Sequence, residues 1–152
     1  MDIQHYDIKY NASLTQFEFI SVGPRGKILK NIVFQPIYDN IYNIAFGDVS
    51  PDNPSRLDDL IVTNNGDTDK VLKTVAIAIE HFLQKNPNAL VLFRGSTKSR
   101  TRLYRMRLRK YYAEITAHIA LFGIIEGKSY CFSESVNLDF DSFLVKSKGE
   151  IS

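Results

Sequence analysis

Apolar and polar positions alternate early in the chain. Phe17, Phe19 and Val22 stand among polar neighbours before Gly23-Pro24-Arg25-Gly26, and Ile28, Ile32 and Phe34 resume an apolar pattern after it. Alternation on both sides of a Gly/Pro turn predicts a β-hairpin. Residues 42–49 predict a third strand, closed by Ser50-Pro51-Asp52-Asn53-Pro54-Ser55, and residues 50–58 are expected to form a flexible loop. Leu60-Ile61-Val62-Thr63 is a short β-prone run that leads into Asn64-Asn65-Gly66-Asp67.

From Thr68 the period changes to that of a helix. Val71, Val75, Ile79 and Phe82 recur at helical spacing, with Leu72, Ala76 and Leu83 alongside, which predicts a well-buried helix over roughly residues 68–84. Asp67 or Thr68 is a natural N-cap, and Asn86-Pro87 stops the helix because proline has no N–H to continue it. Residues 89–93, apolar throughout, predict a central strand. This strand runs into Gly95-Ser96-Thr97 and a second helical pattern, so the middle of the chain reads strand, helix, strand, helix. A right-handed crossover would set 60–63 parallel to 89–93 and bring both glycine loops to one end of the sheet. Strands return at 119–125, at 130–132 after a turn at Glu126-Gly127, and at 143–145, and 147–152 read as a disordered tail. The pattern therefore predicts one α+β domain over residues 1–152, with a mainly antiparallel sheet of about six strands and two helices packed on it.

Charge changes this picture most. Eight of the 19 basic residues lie between 94 and 110, where no acidic residue occurs, so the rest of the chain sets 11 basic against 17 acidic residues, a balance of −6. The net charge of +2 thus conceals a basic segment on an acidic body, which marks an electrostatic footprint for an anionic partner. At ~100° per residue, Tyr104, Leu108, Tyr111 and Ile115 form one apolar stripe. Lys98, Arg102, Arg105 and Arg109 form a second, basic stripe centred ~120° away and facing solvent or a ligand. Arg100 and Arg107 lie on a third side with Ser96 and Glu114.

The junction before this helix is suited to an anion. Arg94 ends a strand, Gly95 permits close backbone approach, and Ser96 and Thr97 open a helix whose free N–H groups and dipole converge there, with Lys98 and Arg100 adding charge. The plainer reading is a helix cap from Ser96 or Thr97. The Gly-x-x-x-x-Gly-Lys-Ser/Thr spacing of a P-loop is missing. Asn64, Asn65 and Asp67 are candidates for a second loop of the site, against a plainer reading as a turn with a positive φ and an Asp cap.

Other chemistry is thinly represented. His5, His81 and His118 are scattered without metal-ligand spacing, Asp48, Asp52, Asp58 and Asp59 read as turn residues more than as a metal cluster, and a Gly-x-Ser-x-Gly elbow is missing, so neither metal nor cofactor is expected. Cys131 is the single cysteine, which excludes an intrachain disulfide, and is expected to be buried. The apolar runs fall short of the ~20 residues that span a bilayer, and the N-terminus has neither a basic n-region nor an apolar h-region. A cytoplasmic protein away from the membrane is expected.

The segments Phe17-Glu18-Phe19, Gly23-Pro24-Arg25-Gly26-Lys27-Ile28, Tyr42-Asn43-Ile44-Ala45-Phe46-Gly47-Asp48, Thr63-Asn64-Asn65-Gly66-Asp67, Gly95-Ser96-Thr97, Arg100-Thr101-Arg102-Leu103-Tyr104-Arg105 and Phe143-Leu144-Val145-Lys146 together resemble a family of short, uncharacterised bacterial proteins found mainly in Bacteroidota. The resemblance covers nearly the whole chain and is most specific in the TNNGD and GSTxxRTRLYR segments. It implies one domain and a bacterial source, and no activity.

Two classes of function follow. In the first, the protein binds nucleic acid, RNA more than DNA since no helix-turn-helix spacing is evident, or another phosphate ligand, through Arg94, Gly95, Ser96, Thr97, Lys98, Arg100, Arg102, Arg105 and Arg109. An enzymatic extension is a toxin-like, metal-independent ribonuclease in which arginines stabilise the phosphorane and a group such as His5 or Tyr6 moves the proton. In the second, the basic helix docks an acidic protein partner, as in an antitoxin, immunity protein or other regulatory module.

Overall fold

Nine strands and three helices form among the residues that the computed structural model describes, which are 4–49, 57–58, 65–95, 97–133 and 138–148. They fall into two compact units, one of Met1–Gln35 with Ile44–Lys85 and one of Pro36–Asn43 with Asn86–Ser152.

The first unit is built on the predicted hairpin. After the two-residue β1 (Lys9–Tyr10), β2 (Gln16–Gly23) pairs antiparallel with β3 (Gly26–Tyr38) from Gln16↔Val33 to Gly23↔Gly26. Strand side chains point to alternate faces, so Phe17, Phe19 and Ser21 of β2 and Lys30, Ile32 and Phe34 of β3 are buried at every second position. β4 (Ile41–Val49) adjoins β3, and its far end pairs with β5 (Leu57–Asp58) through Val49↔Leu57. The helix α1 (Thr68–Lys85) covers this inner face, burying Val71, Leu72, Val75, Ala76, Ile79, Phe82 and Leu83, the residues whose spacing predicts it. Phe34 stacks on Phe82 with ring centres 4.2 Å apart, and Phe17 meets Phe34 edge-on.

The second unit starts with the last three residues of β3, from Pro36. Residues 41–43 of β4 pair parallel with β6 (Leu90–Phe93), from Ile41↔Leu90 to Asn43↔Leu92. The helices α2 (Lys98–Lys110) and α3 (Tyr112–Ile115) follow, then β7 (Ile119–Ile125), β8 (Lys128–Cys131) and β9 (Ser142–Ser147). The strand order here is β4-β6-β9-β7-β8, which makes β6 interior, as its unbroken apolar run predicts. The core is aromatic: Phe93 packs on Tyr104 and Phe143, and Phe132 on Phe140 and Phe143.

The α+β class and the mainly antiparallel pairing agree with the sequence reading. The count does not, because nine strands form where about six are expected; β1 and β5, of two residues each, are too short to leave a period in the sequence. The third helix is a single turn, split from α2 at Tyr111, where the backbone leaves helical geometry at φ −109° and ψ 25°. Residues 60–63, the expected parallel partner of β6, lie outside the described residues, and the parallel pairing seen is with β4. Cys131 is exposed rather than buried, because all four positions of β8, the last strand in the order, are exposed.

Candidate nucleic-acid interface

The approach to α2 is tight. A Cβ on Gly95 would sit 2.6 Å from the Thr101 amide nitrogen and 2.7 Å from Arg100 Cβ, so the chain turns from β6 into the helix only because residue 95 has no side chain. The Gly95 N–H donates to Thr101 Oγ1 at 3.1 Å. Thr97 is the N-cap, with extended backbone at φ −133°, and its Oγ1 accepts the Arg100 N–H at 3.1 Å. The hydroxyl of Thr97 is thus engaged in holding the first turn, and Ser96 lies outside the described residues.

Along α2 the apolar stripe is where the spacing places it. Tyr104 and Leu108 are buried, Ile115 continues the stripe on α3, and Tyr111 at the junction is half-buried. Thr101 is buried too, and this shifts the opposite face. Taking ~100° per residue, Arg105 stands only ~40° from Thr101, at the boundary of the covered arc. The predicted row is corrected accordingly: Lys98 and Arg102 are exposed, whereas Arg105 and Arg109 are half-buried. The solvent face instead runs Lys98, Arg102, Met106, Lys110 at four-residue spacing, with Arg94 exposed just before the helix. Arg100 and Arg107 are half-buried on the flanks.

Arg105 bridges α2 to the segment before β9. Its Nη2 lies 3.2 Å from Asp139 Oδ1, and its Nη1 donates to the Phe140 carbonyl at 3.4 Å. Phe140 is itself fixed. Its ring is buried against Phe132 and Tyr130 and lies over Gly123, where a Cβ would collide with it.

The second-loop candidates belong to the first unit, and there they make a polar cluster. Asn65, 1% exposed, accepts the Arg25 N–H at 2.7 Å and donates to the Gly26 carbonyl at 2.9 Å and to Ser21 Oγ at 3.2 Å. Asp67 Oδ2 accepts from the Tyr6 hydroxyl at 2.5 Å and from Ser21 Oγ at 2.6 Å. Burial, then the hydrogen bond to Asp67, raises the Tyr6 phenol above its usual pKa, and the Lys70 ammonium sits over its ring at 4.2 Å. Gly66 takes the expected positive φ, +74°, while Asn64 lies outside the described residues. The Asp67 carboxylate ties the N-terminal segment and β2 to the start of α1 instead of standing open to a ligand. His5, paired with Tyr6 in the ribonuclease reading, is exposed and contacts the Tyr6 carbonyl through Nδ1 at 3.0 Å.

A second buried feature of this unit escapes a reading of motifs. Lys30, 1% exposed, pairs with Asp48 at 2.5 Å and lies over the Phe46 ring at 5.7 Å. Its signal is present in the sequence all the same: Ser21 and Lys30 occupy inward positions of an otherwise apolar alternation, and a polar residue on the core face requires a partner there.

Among the described residues, no helix is long and apolar enough to cross a membrane. A family model described as a family of unknown function, DUF6934, matches residues 2–148. No curated protein and no solved structure matches the chain.

Proposed function

We propose that this chain, which belongs to the DUF6934 family, binds a polyanion along the solvent face of α2, with RNA as the favoured ligand. The observation that carries the reading is the row Arg94, Lys98, Arg102 and Lys110, four exposed cations on one segment of a chain that is otherwise net acidic. Such segregation concentrates positive potential on one surface and repels a polyanion from the remainder, which fixes where the ligand docks. Long, flexible cations on a rigid helix neutralise backbone phosphates with little demand on base sequence. Met106, 50% exposed in the middle of the row, adds an apolar spot between cations. That combination suits a single strand, whose bases are free to rest on apolar surface, better than a duplex, whose bases are stacked inside.

The test compares fluorescent single-stranded RNA with duplex DNA of the same length, at two salt concentrations, for the parent and a Lys98→Ala/Arg102→Ala variant. Both side chains are exposed, so the variant keeps its fold. Losing two phosphate contacts is expected to weaken RNA binding by about tenfold or more at low salt. A variant that binds as the parent does removes α2 as the site. A parent that binds neither ligand refutes the reading and leaves the basic helix to an acidic protein partner.

A further inference from the structure

Arg105 is held in two unequal ways. Its Nη1 rests on the carbonyl of Phe140, a residue locked in the aromatic core, while its Nη2 faces Asp139, whose side chain is 93% exposed against 13% for Arg105. One grip is fixed by the fold and the other is a carboxylate standing in water. A guanidinium presents the same fork of donors to a carboxylate and to a phosphate. Asp139 therefore occupies, on the flank of the α2 row, a position that a phosphate oxygen can take. The carboxylate partner stands in water, where it gains little from the pairing, so exchange is easy, and the Phe140 carbonyl keeps the guanidinium oriented while it occurs.

We infer that Asp139 is an internal competitor at the polyanion site: it holds Arg105 in the free protein, and a bound strand displaces it to recruit Arg105 as a further phosphate ligand. The inference rests on the reading of α2 as the binding face. It assigns Arg105 a role that its half-buried position otherwise hides, and makes Asp139 a residue that sets the affinity threshold. Arg105 stands one turn beyond Arg102, ~4.5 Å along the axis, so a strand that contacts Lys98 and Arg102 runs on to it. Removing the Asp139 charge acts twice in one direction, since it releases Nη2 and deletes a negative charge from a basic surface.

The test measures single-stranded RNA binding against salt for the parent, Asp139→Asn, Arg105→Ala and the Asp139→Asn/Arg105→Ala pair. Asp139→Ser serves as a second probe of the same position. Asp139→Asn is expected to bind about two- to fivefold more tightly at low salt. Its plot of log affinity against log salt should keep the parent's slope, because Arg105 meets a phosphate in both complexes, whereas Arg105→Ala should flatten that plot by about 0.7. In the Arg105→Ala background the Asp139→Asn substitution should bring only the smaller gain that comes from deleting a negative charge. If the parent binds with a clear salt dependence and both Asp139 variants match its affinity, the competitor role is overturned while the α2 reading stands. If neither the parent nor Asp139→Asn binds RNA, the α2 reading falls and the competitor role with it.

Discussion

Asn65→Ala separates a structural asparagine from a ligand-binding one. The Asn65 side chain makes three hydrogen bonds, to the Arg25 N–H, the Gly26 carbonyl and Ser21 Oγ. These do not cost the same to lose. Arg25 and Gly26 are exposed, so water replaces the amide at the β2–β3 turn, and Ser21, though fully buried, keeps its 2.6 Å bond to Asp67. A net value near 1 kcal/mol per bond, discounted for the two that water restores and increased for the vacated space, gives a loss of about 2 kcal/mol. For a chain of 152 residues that lowers the thermal midpoint by about 4–8 °C. Urea melts followed by circular dichroism measure it, and RNA binding by the folded variant should equal that of the parent. An unfolding free energy within about 0.5 kcal/mol of the parent's, together with a large loss of binding, would refute the reasoning, because the amide would then serve a ligand and not the turn.

Two further outcomes follow from buried chemistry in the same unit. Lys30→Met removes the cation 2.5 Å from Asp48 in a nearly dry setting and should cost about 3–5 kcal/mol, while Lys30→Met/Asp48→Leu should recover most of that loss; urea midpoints for both variants check the order. Tyr6 has a raised pKa because burial and Asp67 favour the neutral phenol. Its contribution is therefore complete below the ordinary tyrosine value of about 10 and is lost as pH rises through the higher folded value. Melting temperatures from about pH 8 to 11 should fall more steeply for the parent than for Tyr6→Phe at the alkaline end.

The elements most legible in the sequence were those long enough to repeat a period. The 18-residue α1 shows four turns of apolar spacing, and β2 alternates through Phe17 and Phe19 until Ile20 and Ser21 reverse the phase. β1 and β5 lack that length, since two residues cannot display a period and pair only because a neighbouring edge is open. The basic helix was legible as an element, and its apolar stripe through Tyr104 and Leu108 was placed correctly. Its solvent face was less so. The burial of Thr101, which bonds to the Gly95 N–H, widens the covered arc, and the anchoring of Arg105 depends on Phe140, 35 residues later in the chain. Periodicity within one helix carries no information about such distant contacts. The polar cluster around Asp67 was half legible: the turn at Gly66 follows from local sequence, but its partners Tyr6 and Ser21 lie 61 and 46 residues away.

The central claim is that the solvent face of α2 neutralises phosphates, and the slope of log affinity against log salt for single-stranded RNA tests it most directly. Four exposed cations, Arg94, Lys98, Arg102 and Lys110, each meeting one phosphate, give a slope of about −3 for a single strand, and Arg105 taken from Asp139 steepens it to about −3.5. Lys98→Ala/Arg102→Ala should make it shallower by about 1.4. A slope that is flat for the parent, or equally steep in parent and variant, would contradict the account.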